Sequence, residues 1–97
     1  MTLAILTNHA RTRAQQRGIP PLIQPWLLEY GDRAHDHRGA VLRFFSKRSL
    51  RRLEQAEGSV PMRRHAEHLR SYLVQAIDGG VVITIGKRYP GYRLPRS

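Results

Sequence analysis

The chain has 97 residues and sets 17 Lys and Arg against seven Asp and Glu, a net charge of +10. That length supports one domain with one modest core, and a hydrophobic content of 40% excludes an intrinsically disordered chain. With no cysteine, disulfides, thiolate metal sites and a thiol nucleophile are excluded, and no apolar run approaches the roughly 20 residues of a bilayer span.

The first segment, Thr2–Leu6, reads as a short strand or an arm. MTLAILTNHA is too short and too uncharged for a secretory signal, so a cytoplasmic location is expected. Asn8–Ile19 reads as a helix, with Thr7 or Asn8 as N-cap and Gly18 as a left-handed C-terminal cap. At about 100° per residue, His9, Arg13, Arg17, Ala10 and Ala14 share one arc of roughly 140°, predicted to be the inward side. Ile19–Gly31 reads as a second helix with Pro20 and Pro21 in its first turn; Pro25 implies a late start or a kink.

Arg33–Phe45 reads as a hairpin through Arg38-Gly39, with Val41, Arg43 and Phe45 on one face. Ser46 caps a third helix running to about Gly58. Its Leu50, Leu53 and Ala56 oppose an arc of Lys47, Arg48, Arg51 and Arg52. Val60–Leu69 is a helical piece in which Arg63 and Glu67 stand i, i+4. Tyr72–Ile77 and Val81–Ile85 form a second hairpin through Asp78-Gly79-Gly80, and the β-prone VVITI is expected centrally in the sheet. Residues 87–97, KRYPGYRLPRS, read as a loose basic tail. The order (β)-α-α-β-β-α-α-β-β implies an α+β fold with an antiparallel sheet of four strands, or five if the first segment joins it.

The pattern His9-Ala10-Arg11…Arg13…Gln16-Arg17-Gly18-Ile19, a second short helix, Gly31-Asp32 and a hairpin resembles the DUF4258 family of small bacterial domains. The closing DGGVVITIGKR resembles that family's last hairpin. The likeness covers about residues 7–47 and 71–88, with the helical piece between the hairpins as an insertion, and makes residues 1–97 one domain. Such domains are similar in layout to RelE/ParE-type toxins, with two N-terminal helices on one face of the sheet. The resemblance implies basic and aromatic residues on and after the last strands, where Lys87, Arg88 and Tyr89 stand here.

Fifteen of the basic residues are Arg, the residue suited to bidentate phosphate contacts, although a GC-rich genome also enriches it. Nucleic acid is the first expected partner and an acidic protein the second. The His9-Arg13-Arg17 ladder has two readings. In one, the arginines bond helix-end carbonyls or Asp32. In the other they clamp phosphate while His9 exchanges a proton assisted by Lys87 or Arg88. Arg43 on its strand points into a cleft or covers the sheet with its stem. Lys47, Arg48, Arg51 and Arg52 form a solvated face or a phosphate-tracking surface, and Tyr89 could stack on a base. The His35/His37 pair reads first as a polar hairpin edge; zinc there would need one or two further ligands, with only His9 or Asp32 in reach, and no cofactor motif occurs. Two functions fit these residues. One is an RNA- or polyanion-binding protein of RelE-like toxin type, with metal-independent endoribonuclease activity and an acidic antitoxin-like partner. The other is a non-catalytic module that binds an acidic protein or a second copy of itself.

Overall fold

The computed structural model describes residues 6–36 and 38–88. Expectations resting on residues 2–5, His37, Tyr89, Tyr92 and Arg93 lie outside them. Four helices and four strands alternate in pairs: α1 (Asn8–Gln16), α2 (Ile23–Tyr30), β1 (Asp32–His35), β2 (Ala40–Phe44), α3 (Lys47–Glu57), α4 (Ser59–Arg64), β3 (Ser71–Ala76) and β4 (Val82–Lys87). The strands form one antiparallel sheet in the order β1-β2-β3-β4, and the fold is α+β.

Helix α1 begins and ends where local chemistry dictates. The Thr7 hydroxyl accepts the Ala10 amide at 3.1 Å, satisfying one first-turn donor. At the other end Gly18 takes φ +62°, and the amides of Gly18 and Ile19 return to the carbonyls of Gln15 and Ala14 at 3.1 and 2.9 Å. That pair of bonds is a Schellman motif, which an L side chain at position 18 would strain.

Helix α2 is shorter than expected. Pro20 and Pro21 lie in the turn before it, and the helix starts at Ile23. Pro25 therefore occupies the third helical position, where no intrahelical bond awaits its missing amide. Ile23, Trp26 and Leu27 are buried and join Leu53, Leu73, Val82 and Ile85 in one core. Gly31 ends the helix in ordinary extended geometry, φ −67°. Its requirement is space: an added Cβ would lie 2.5 Å from the Leu27 carbonyl oxygen and 3.1 Å from that of Phe44.

The first hairpin turns on Asp36, whose carboxylate accepts the amides of Arg38 and Ala40 at 2.7 and 3.0 Å. These bonds stabilise the charged form and hold the Asp36 pKa below its ordinary value. The helical piece expected over 60–69 divides into α4 and a single 3-10 turn, Ala66–His68. Glu67 on that turn approaches His68 rather than Arg63.

The β-prone run expected at the centre of the sheet is its outer strand, β4. Its Val82 and Ile85 are buried by other means. Leu6 forms an isolated parallel bridge with Val82, and the Thr7 amide and hydroxyl donate to the carbonyls of Val82 and Ile83, both at 3.0 Å. Ala10 of α1 is fully buried in the core that Val82 and Ile85 share. Lys87 completes β4 instead of opening a tail.

Candidate nucleic-acid interface

The inward arc of α1 is narrower than the sequence implies. Ala10 is fully buried and Ala14 partly so, whereas His9, Arg13 and Arg17 are exposed. Two alanines permit close approach to the sheet; three basic groups brought there would need counter-charges, since burying unpaired charge is costly. The ladder flanks the seam and faces water.

Arg43 is positioned by the opposite logic. It stands on β2 beneath the end of α2, a helix with no basic residue in its last turn. Its guanidinium donates from Nε to the Leu27 carbonyl at 3.4 Å and from Nη2 to that of Leu28. The cation at the negative end of α2 is thus supplied by a neighbouring strand. Burial, and then the proximity of Arg33, lower its pKa from the usual value, but an arginine stays charged. Because β3 lies between β2 and the strand carrying α1, the ladder and Arg43 do not enclose the expected cleft.

Nor do His9, Lys87 and Arg88 converge. His9 follows Thr7, which is bonded to Ile83 near the start of β4, while Lys87 ends that strand. The four intervening steps span about 13 Å. Lys87 pairs in register with Ser71, and Arg88 Nη2 donates to the Phe45 carbonyl at 3.1 Å. The imidazole that feels Lys87 is His68. It is buried, with Nε2 3.3 Å from Glu67 and Nδ1 lacking a hydrogen-bond partner. Burial first, then Lys87, push its pKa below the ordinary histidine value, against the opposite pull of Glu67.

A group held more acidic in the folded state binds fewer protons there than in the unfolded chain, so its contribution is complete above the unfolded pKa of about 6.5 and declines below it. The melting temperature is expected to fall as pH drops from about 6.5, before Asp36 titrates, and His68→Gln should flatten that limb. An unchanged limb in the variant would remove His68 as its source.

Helix α3 carries an exposed basic surface. Ser46 and Ser49 form a reciprocal capping box, with bonds of 3.2 and 2.7 Å between side chain and amide. Ser49 and Leu53 are fully buried and Leu50 partly, but Ala56, expected on the apolar side, is exposed. Arg52 turns to α2, donating to the Tyr30 carbonyl at 2.9 Å and standing 3.6 Å from Asp32. Glu57 accepts from Trp26 Nε1 at 3.2 Å and from the Tyr30 hydroxyl at 3.3 Å. These ties fix the rotation of α3. Glu57→Ala should lower stability by about 1–2 kcal/mol, the magnitude for two hydrogen bonds to a charged group with partial exposure; an unchanged denaturation midpoint would show that the clamp contributes nothing.

With that rotation set, Lys47, Arg51 and Arg48 fall within about 100° on the outward side. All three are exposed, and they make no hydrogen bond or ion pair with the described residues. Lys47 and Arg51 line a shallow groove of about 270 Å³ between α3 and α4, with Leu50, Met62 and Glu54. The first turn of α3 contains no acid, so two cations sit at the positive end of the helix, where they are unfavourable unless an anion joins them. No family model, curated protein or solved structure matches this chain. Among the described residues no three His, Cys, Asp or Glu gather where they could hold a metal ion, and none of the helices is long and apolar enough to cross a membrane.

The missed residues are Glu57, His68 and Gly31. Glu57 stands i, i+3 from Glu54 on a basic helix and carried no signal of its partners. Nothing in the sequence around His68 signals its burial or its proximity to Lys87. Gly31 before Asp32 was legible as a helix stop, but its crowding by Phe44 depends on hairpin register.

Proposed function

We propose that this protein binds RNA or another polyanion, with phosphates tracking along the outward face of α3. The observation that carries this reading is the trio Lys47, Arg48 and Arg51, exposed and making no ion pair with the described residues, with the first two in the opening turn of α3. The first-turn amides of α3 add donors that an intrahelical bond does not use. The exposed Arg13 and Arg17 extend the positive field along α1. Arg43 and Arg52, both tied to α2, act in this reading by holding the frame.

The reading extends to a DUF4258-like, RelE-like toxin that cleaves its RNA without metal, with Lys87 and Arg88 at the end of β4 nearest the start of α3. Fluorescence anisotropy with a labelled single-stranded RNA tests the binding step. Affinity should fall steeply between 50 and 200 mM salt, as expected for several phosphate contacts. Binding that is absent, or indifferent to salt, contradicts the proposal. For the cleaving extension, product formation should survive chelation and be lost in Lys87→Ala.

One observation favours the alternative of a non-catalytic module that binds an acidic protein. The outer edge of β1 pairs with no strand among the described residues, and Arg33 and His35 on it are exposed. An acidic extended segment could add there as a further strand.

A further inference from the structure

A second feature lies away from α3. Between α1, the α1–α2 connection and β4 is a groove of about 280 Å³. Leu6, Ala14, Ile19 and Ile85 line it with hydrocarbon, and Pro20 and Pro21 also border it. Ala14 lacks the side chain that would fill this space, the Schellman turn at Gly18 folds Ile19 into the core, and Pro25, tolerated only in a first turn, keeps α2 from starting sooner. Two prolines also restrict the backbone beside the groove, so little ordering entropy is lost when it is filled.

At the rim stand Arg11, Gln15 and Gln24. Arg11 is the single ionisable residue of the lining. It is exposed, and its guanidinium makes no hydrogen bond or ion pair with the described residues. At roughly 30 Å³ per water-sized group, the groove accepts about nine such groups.

We infer that this groove binds a small amphiphilic carboxylate, a hydrocarbon tail of about seven or eight carbons lying on Ala14, Ile19 and Ile85 with its carboxylate at Arg11. The inference is independent of RNA binding at α3. Charge complementarity selects the head group: a cationic amphiphile would be repelled by Arg11, and a neutral one would gain no ion pair from it. A carboxylate can take two parallel N–H bonds from it. Gln15, one helical turn beyond Arg11, offers an amide donor on the same rim.

The test uses the full chain with methyl groups labelled at Ile and Leu, titrated separately with octanoate, octanol and acetate. Octanoate should give saturable shifts at Leu6, Ile19 and Ile85 and bind at least about tenfold more tightly than acetate, which lacks the tail. Arg11→Gln, at an exposed helical position, should weaken octanoate by about tenfold, the scale of a charged hydrogen bond, and leave octanol unchanged. Ala14→Leu should abolish the shifts by filling the groove. Should Ala14→Leu fail to fold, the Arg11→Gln comparison decides alone. Shifts confined to other methyls, equal affinity for acetate and octanoate, or an octanoate affinity indifferent to Arg11→Gln each overturn the inference.

Discussion

Gly31→Ala is expected to destabilise the protein by about 3 kcal/mol or more, the range of severe overpacking, and to lower the melting temperature by roughly 15 °C for a domain of this size. The added Cβ would lie 2.5 Å from the Leu27 carbonyl oxygen and 3.1 Å from the Phe44 carbonyl oxygen. Both obstacles are backbone, so no rotamer change relieves them. The Leu27 carbonyl also accepts the Gly31 amide at 3.1 Å and Arg43 Nε at 3.4 Å. Moving it disturbs the end of α2, the Arg43 tie and the β1–β2 pairing together. Gly18→Ala is the control. There φ is +62° but nothing lies within 4 Å of the new Cβ, so the loss should be only about 1 kcal/mol. Comparable melting temperatures for the two variants would show that small shifts relieve the close approach at Gly31 and that it is not what the position requires.

The second large effect concerns binding. Replacing Lys47, Arg48 and Arg51 together by Ala removes three exposed cations that make no hydrogen bond or ion pair with the described residues, so folding should be retained. Each phosphate contact with a single strand contributes about −0.7 to the slope of log K against log salt. Losing three should reduce the slope by about 2 and the affinity at 0.1 M salt about 100-fold. The ladder on α1 offers two arginines for the corresponding change. Arg13→Ala with Arg17→Ala should reduce the slope by about 1.4 at most.

Signals confined to a few adjacent residues were legible in the sequence. Thr7, Gly18, Ser46 and Asp78-Gly79-Gly80 mark their caps and turns because each acts on backbone groups within a turn of itself. The α+β order and the pairing of hairpins followed from them. Long-range placement was not legible in the same way. VVITI reads as a central strand, yet Leu6, Thr7 and Ala10 cover its flank, and those contacts join the two ends of the chain. Strand alternation alone leaves Arg43 pointing into a cleft or covering the sheet with its stem; that α2 ends above it depends on where Pro25 lets the helix begin. The ladder on α1 has the right period for a buried arc, but Ala10 and Ala14 are enough to make the seam, and charge excludes the rest. Of the candidate site, the basic face of α3 was visible as a charge arc. Which of its members are free was not, since Arg52 is claimed by Tyr30 and Asp32.

The claim that α3 presents the phosphate-tracking surface meets its most direct test in one measurement: the salt dependence of single-stranded RNA binding for the wild-type chain and for Lys47→Ala/Arg48→Ala/Arg51→Ala. A slope shallower by about 2 in the variant, with an unchanged melting temperature, is the expected result. Equal slopes in two equally folded proteins would place the nucleic-acid surface elsewhere and contradict it.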